Sequence, residues 1–265
     1  MNNRNMFCFI VLIILVCLTL MKCNSNKHNS VTIVLAKYNE DIRWTSRLEY
    51  PYIIYSKHPN EPNYVAIGRD TEASSYLYHI INNYDQLSEW TLFMHAHETH
   101  WHHPRSAIIV CNRLNFSKLY KNGIKYHTLN HNEKGEIQIY ENKEHQPSVL
   151  NLDEYLHVCS LIFNANEIDH IQKSIISRNG GVKFPPAAQF VVHRTRIRMR
   201  PKEFYEKCLY LLTHPLLTQN ATNYSRTIGG FLFEALWHFI FGEPFIYVPA
   251  KTNLNALLKP RYCIW

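Results

Sequence analysis

The sequence predicts an α/β protein: a mostly parallel central sheet flanked by helices, Rossmann-like in plan and preceded by an apolar N-terminal helix. Three observations lead there. Short β-branched or aromatic runs, Val31–Ala36, Tyr52–Tyr55 and Trp90–Met94, alternate with a segment of helical period. A late segment, Ile228 to Ile240, carries a full apolar helical stripe. Between them, Trp90 to His103 turns from strand-type residues to five histidines within a few positions, as a strand does when it ends on a site.

At 265 residues and 46% hydrophobic, the chain is long enough for one large core, and residues 31–265 read as a single α/β domain. The formal charge is +7, with one basic concentration at Arg194, Arg196, Arg198, Arg200 and Lys202. A nucleic-acid partner calls for several basic stripes, so none is expected; one patch suits an anionic small molecule or a phosphate.

The elements follow in order. Arg4 precedes an unbroken apolar run from Phe7 to Met21. As a helix it spans about 22 Å, which fits a secretory signal peptide or a short type II membrane anchor. Residues 1–30 are therefore a leader, or an anchor with a short stem, and membrane contact is expected through residues 7–21. Either way the rest enters the secretory pathway, as a lumenal domain at the endoplasmic reticulum or Golgi membrane, or secreted if residues 1–25 are cleaved. The sequons at Asn115, Asn220 and Asn223 are consistent with this. So is an even set of later cysteines, Cys111, Cys159, Cys208 and Cys263, whose three possible pairings the sequence leaves open.

Val31–Ala36 is a buried strand ending in the polar turn Lys37–Asp41, at the edge where open α/β sheets bind ligands. Tyr52–Tyr55 is a second strand. Asp70 or Thr71 caps a helix to about Tyr84, placing Gly68 and Arg69 just before a helix N-terminus. Trp90–Met94 is the third strand. A helix follows Pro104, residues 121–146 form a loop or insertion, and Val149–Phe163 is apolar without clear period. Gly180–His193 is a loop feeding another strand, after which the arginines continue at period two. Pro201 opens a helix to about Leu212, and Gly242 stops the last one.

Two constellations carry chemistry. His95, His97, His100 and His103, beside Glu98, are candidate metal ligands, and a strand places His95 and His97 on one face. Glu234 and His238 lie four apart on the flank of the last apolar stripe, a spacing for a partly buried general base with a neighbour.

Several blocks, taken in order, make the chain resemble the eukaryotic domain of unknown function 3431. They are Ala36-Lys-Tyr-Asn-Glu-Asp41, Gly68-Arg69 with Tyr76-Leu77, Asn83-Tyr-Asp85 and Phe93 to His103, then Ala188-Gln-Phe-Val-Val192 with Arg198, Arg200-Pro201 and Phe204-Tyr205, and finally Glu234 to Gly242. The layout is similar to GT-A glycosyltransferases. That likeness implies Asn39, Glu40 and Asp41 near a nucleoside, and Gly68 and Arg69 near a diphosphate. It also implies Gln189 on the acceptor side and Glu234 as catalytic base, with His238, Arg198 and Arg200 as further site residues. The chain departs from the pattern in having no Asp-x-Asp, so the divalent metal, manganese or zinc, is left open.

Three functions remain in play. One is a glycosyltransferase-like enzyme taking a nucleotide sugar and a glycan or other hydroxyl acceptor. A second is a zinc hydrolase, since His95-Ala-His-Glu-Thr-His100 is similar to the metallo-β-lactamase motif with Thr99 in place of Asp. The third is a non-catalytic carbohydrate-binding module.

Overall fold

The computed structural model describes residues 30–67, 71–99, 105–130, 137–140, 152–176, 181–184, 188–215, 217–218, 228–246 and 254–259. The apolar N-terminal helix, and with it the leader or anchor reading, lies outside the described residues. Among the described residues no helix is long and apolar enough to cross a membrane.

The elements are β1 (Val31–Lys37), β2 (Tyr52–Ser56), α1 (Glu72–Asn83), β3 (Trp90–His95), α2 (Ala107–Arg113), α3 (Phe116–Lys121), β4 (Tyr126–Thr128) and β5 (Ile137–Tyr140). Then come α4 (Leu152–Ile162), α5 (Ala165–Ile176), β6 (Gly181–Phe184), β7 (Phe190–His193), α6 (Arg194–Ile197), α7 (Lys202–Leu211), α8 (Ile228–Ile240) and α9 (Leu254–Leu257). A five-stranded sheet in the order β2-β1-β3-β7-β4 is flanked by helices, and β5 and β6 form a separate pair.

The sheet is not mostly parallel. β1 runs parallel to β2 and β3, whereas β7 is antiparallel to both β3 and β4, and β5 is antiparallel to β6. The reason is local. β7 enters beside the end of β3, with Phe190 opposite Phe93, so it can pair only by running back. Its four buried residues read the same in either direction, so burial pattern does not reveal strand sense.

Side chains alternate between two cores. On one face Val34, Phe93, Phe190 and Val192 pack under α1, α4, α7 and α8, with Tyr76, Tyr155, Tyr205 and Trp237 wholly buried. On the other, Ile33, Leu35, Leu92, Met94 and Val191 pack on α2 and α9. Thr71 caps α1 as its sequence suggests, its Oγ1 accepting from Ala73 N at 3.1 Å. Gly242 ends α8 at φ +78°, where a side chain would also meet the Arg196 guanidinium.

Other expectations shift. The stretch 121–146 holds β4 and β5 within it, and Arg194–Ile197 is a short helix, so the arginines do not continue a strand. Residues 165–176 form a helix that the apolar pattern did not mark. Its start is a capping box: Asn164 N donates to Glu167 Oε2 at 3.0 Å, and Glu167 N donates back to Asn164 Oδ1 at 3.1 Å. Cys111, Cys159 and Cys208 are free thiols. Cys111 sits in one core and the other two in the opposite one, and burial pushes the Cys159 thiol up to about 12. Cys263 lies outside the described residues.

Candidate functional site

The strand order makes a crevice before any side chain is considered. From β1 the chain crosses to β2 on one side, then returns past β1 to β3 on the other. The connections leaving the ends of β1 and β3 therefore diverge, and ligands of open α/β sheets bind in that gap. Lys37–Asp41 leave β1 there, and Ala96–Thr99 leave β3. A cleft of about 530 Å³ opens between them, lined by Glu40, Asp41, Arg43, Trp44, Arg47, His97, Glu98 and Thr99.

Each wall is held from within. Ala96 N donates to Ala36 O at 3.1 Å, carrying the β1–β3 pairing one step further. The buried Trp44 indole donates to Ala96 O at 2.9 Å and fastens the 3-10 turn Arg43–Arg47 to the end of β3. Glu40 spans the gap: Oε2 accepts from Tyr38 N at 2.5 Å, and Oε1 lies 3.2 Å from His97 Nε2. At the rim, Arg43 pairs with Asp41 at 2.5 Å and Arg47 with Glu98 at 2.8 Å. The Arg43 guanidinium holds the Asp41 carboxyl below the usual carboxylate range, chiefly through their hydrogen bonds.

The loop after β2 packs beside the segment that leaves β1. Lys37 Nζ pairs with Glu61 at 2.5 Å and holds that carboxyl low; His58 Nε2 meets Asn39 Oδ1 at 2.5 Å; Lys57 reaches Ser74 Oγ and Ile67 O. Behind the crevice lies Tyr76, fully buried, its hydroxyl donating to Ala188 O at 2.8 Å. Burial pushes that hydroxyl well above its ordinary range, and the nearby groups of Glu72, Tyr38, Glu234 and Glu40 push it further. Carboxylates after the end of β1, on α1 and on α8 thus act electrostatically on one phenol. Glu72 and Glu234 are themselves buried.

The expected site residues divide. Asn39, Glu40, Asp41, His95, His97 and Gln189 come together at this edge, with Glu234 behind them. Gln189 is fully buried and its amide is committed to the protein: Oε1 accepts from His95 N at 3.3 Å and Nε2 donates to Asn130 Oδ1 at 2.9 Å. It ties the ends of β3 and β4 together. Arg198 and Arg200 lie at the opposite edge, because β7 runs backward and puts His193 beside Trp90, with Arg194 N donating to Glu89 O at 2.9 Å. There Arg198 donates to Asp85 O at 2.9 Å, and Arg200 pairs with Glu167 at 2.5 Å over the Phe204 and Phe163 rings. Gly68, Arg69, His100 and His103 lie outside the described residues.

β3 ends at His95, so strand alternation does not extend to His97, which turns to Glu40 instead. Among the described residues no three of His, Cys, Asp and Glu are placed to hold a metal ion. Sequence reasoning passed over Lys37, Trp44, Arg43, Arg47, Glu72 and Tyr76. For the two arginines the signal was there: they stand four apart directly after the polar turn that ends β1.

His238 is a buried imidazole whose Nε2 meets Phe245 O at 2.8 Å, closing the turn after α8. Burial lowers it to about 4, and does the same to His79 and His127. These three set a pH dependence. Between about 4 and the unfolded value of about 6.5, the unfolded chain takes up protons that the native protein does not. Stability is therefore complete above pH ~6.5 and falls toward pH 4, by at most about 1.4 kcal/mol per pH unit for each histidine. Urea titrations at pH 7, 5.5 and 4.5 should show a falling midpoint; a flat series would mean that the native histidines protonate freely.

No curated protein and no solved structure matches the chain. The family model described as "Protein of unknown function (DUF3431)" matches residues 33–255, nearly all of the domain that builds this crevice, and the chain belongs to that family.

Proposed function

We propose that the crevice binds a nucleotide sugar and that the protein transfers the sugar to a hydroxyl acceptor. The observation that supports this reading is the cleft between the segments leaving β1 and β3, whose Glu40 and Asp41 carboxylates are suited to accept from ribose or sugar hydroxyls. Glu40 and Asp41 accept from those hydroxyls, and Asn39, held by His58, shapes the same wall. In the GT-A-like layout Glu234 is the general base. The acceptor oxygen attacks the anomeric carbon, Glu234 takes its proton, and the nucleoside diphosphate leaves with the electron pair of the broken C–O bond. His238, neutral and bonded to Phe245, positions the end of α8. Gln189 holds His95 and the mouth of the site, and Arg198 and Arg200 brace the scaffold at the far edge. Gly68 and Arg69 keep their proposed place near the diphosphate.

The protein acts in the secretory pathway, its domain lumenal on the apolar segment of residues 7–21 or released after cleavage. The full-length chain is tested against a panel of nucleotide sugars and hydroxyl acceptors, reading nucleoside diphosphate release and the mass of the acceptor. Diphosphate release with a gain of one sugar on the acceptor is the expected result. Sugar binding with no turnover across the panel would replace the transferase by a carbohydrate-binding module.

A further inference from the structure

We infer that Arg43 and Arg47 are the clamp for the diphosphate in this crevice, with Asp41 and Glu98 as the carboxylates that an arriving phosphate displaces. The identity of the ligand rests on the transferase reading; the clamp itself rests on geometry. A diphosphate needs fixed cations beside the hydroxyl-binding carboxylates. Of the described cations at this edge, Lys37 is largely buried against Glu61, and Lys57 is buried with Ser74 and Ile67 O. Arg198 and Arg200 are at the other edge of the sheet. Only Arg43 and Arg47 among the described basic residues line the cleft.

Their backbone is rigid while their heads are accessible. The turn is fixed at three points: Trp44 Nε1 to Ala96 O, Thr45 Oγ1 to Ile42 O at 2.8 Å, and Asn112 Nδ2 to Arg47 O at 2.9 Å. The guanidiniums keep 91% and 59% of their side-chain exposure; of their carboxylate partners Asp41 is exposed and Glu98 half-buried. Ion pairs so exposed contribute little and are readily exchanged. A phosphate offers bidentate acceptors of higher charge to the same planar donors. The exchange also frees Asp41 and Glu98 to accept from sugar or ribose hydroxyls, so a ligand with both diphosphate and hydroxyls engages both halves of each pair. That combination is the chemistry of a nucleoside diphosphate sugar.

The test is calorimetric binding of inorganic pyrophosphate and of a nucleoside diphosphate to the full chain. Variants are Arg43→Ala with Arg47→Ala, and separately Asp41→Asn with Glu98→Gln. Asn at position 41 keeps the acceptor for Arg43 N, which Asp41 Oδ1 now provides at 2.9 Å. The arginine variant should bind about tenfold or more weaker, as expected for losing charged hydrogen bonds, with its melting temperature unchanged. The amide variant should bind pyrophosphate more tightly than the wild type, which a merely structural pair would not do. Equal binding by the arginine variant, or weaker pyrophosphate binding by the amide variant, overturns the clamp. If pyrophosphate binds through the arginines and no sugar is ever transferred, the transferase reading fails alone. If transfer proceeds and the arginine variant matches the wild type, the clamp fails alone.

Discussion

If the protein is the proposed transferase, a Glu234→Gln variant should fold, bind nucleotide and lose transfer by on the order of 10²–10⁴-fold, the usual contribution of a positioned general base. The substitution keeps the side chain's shape and removes only its charge and basicity. Glu234 is 5% exposed and, like Glu40 and Glu72, acts electrostatically on the buried Tyr76 hydroxyl. Glutamine keeps an acceptor oxygen in the same place, so the melting temperature should change little. The loss should therefore appear in kcat, while KM for the donor changes little, because the cleft proposed for the nucleotide is lined by the segments that follow β1 and β3 and not by α8. His238→Gln serves as the control for position against chemistry. It disturbs the bond to Phe245 O and the end of α8, so it should lower stability and activity together. Wild-type turnover in Glu234→Gln would move the base elsewhere, with Glu72 the next carboxylate to replace.

Much of the crevice was legible because its parts follow local rules. A β-branched run ending in Lys37–Asp41, and an aromatic run ending in His95, fix two strand ends, and the intervening helix with its Thr71 cap forces a crossover between them. What remained hidden depends on direction and distance. β7 is four residues long and fully buried, and nothing in Phe190–His193 says which way it runs. Yet that single reversal carries Arg198 and Arg200 from the expected site to the opposite edge. The GT-A likeness put Gln189 on the acceptor side; only the fold reveals His95 N and Asn130 on either side of its amide. The density of histidines suggested a metal more strongly than the geometry of His95 and His97 does, since β3 stops before the second of them. Glu72 was visible as a first-turn acid, favourable at a helix N-terminus in its own right. That it shares Tyr76 with Glu40 and Glu234 is a consequence of packing α1 and α8 on one face.

Trp237→Ala should cost about 3–5 kcal/mol of unfolding free energy, the range for emptying a large aromatic site in a core. Trp237 is fully buried one turn after Glu234, with ring centroids 5.4 Å from Phe190 and Phe233, 5.7 Å from Phe241 and 6.0 Å from Tyr76. It joins α8 to β7 and α1, so no single element can move in to fill the space. Against a typical stability of about 5–15 kcal/mol, such a loss leaves little of the folded state in mild denaturant. Trp237→Phe separates packing from polarity. Nε1 is buried with no hydrogen-bond partner among the described residues, so the indole carries a desolvation cost that phenylalanine lacks. The Phe variant should therefore lose distinctly less than the Ala variant, and urea unfolding of the two measures the difference. Equal losses would mean that a phenyl ring does not fill the space the indole occupies. The same cavity bears on function. Trp237 packs on both Tyr76 and Phe190, which themselves meet edge-on with centroids 5.9 Å apart, and Tyr76 holds Ala188, so its removal should loosen Glu234, Gln189 and His95 together. Activity in Trp237→Ala should accordingly fall by more than the unfolded fraction accounts for.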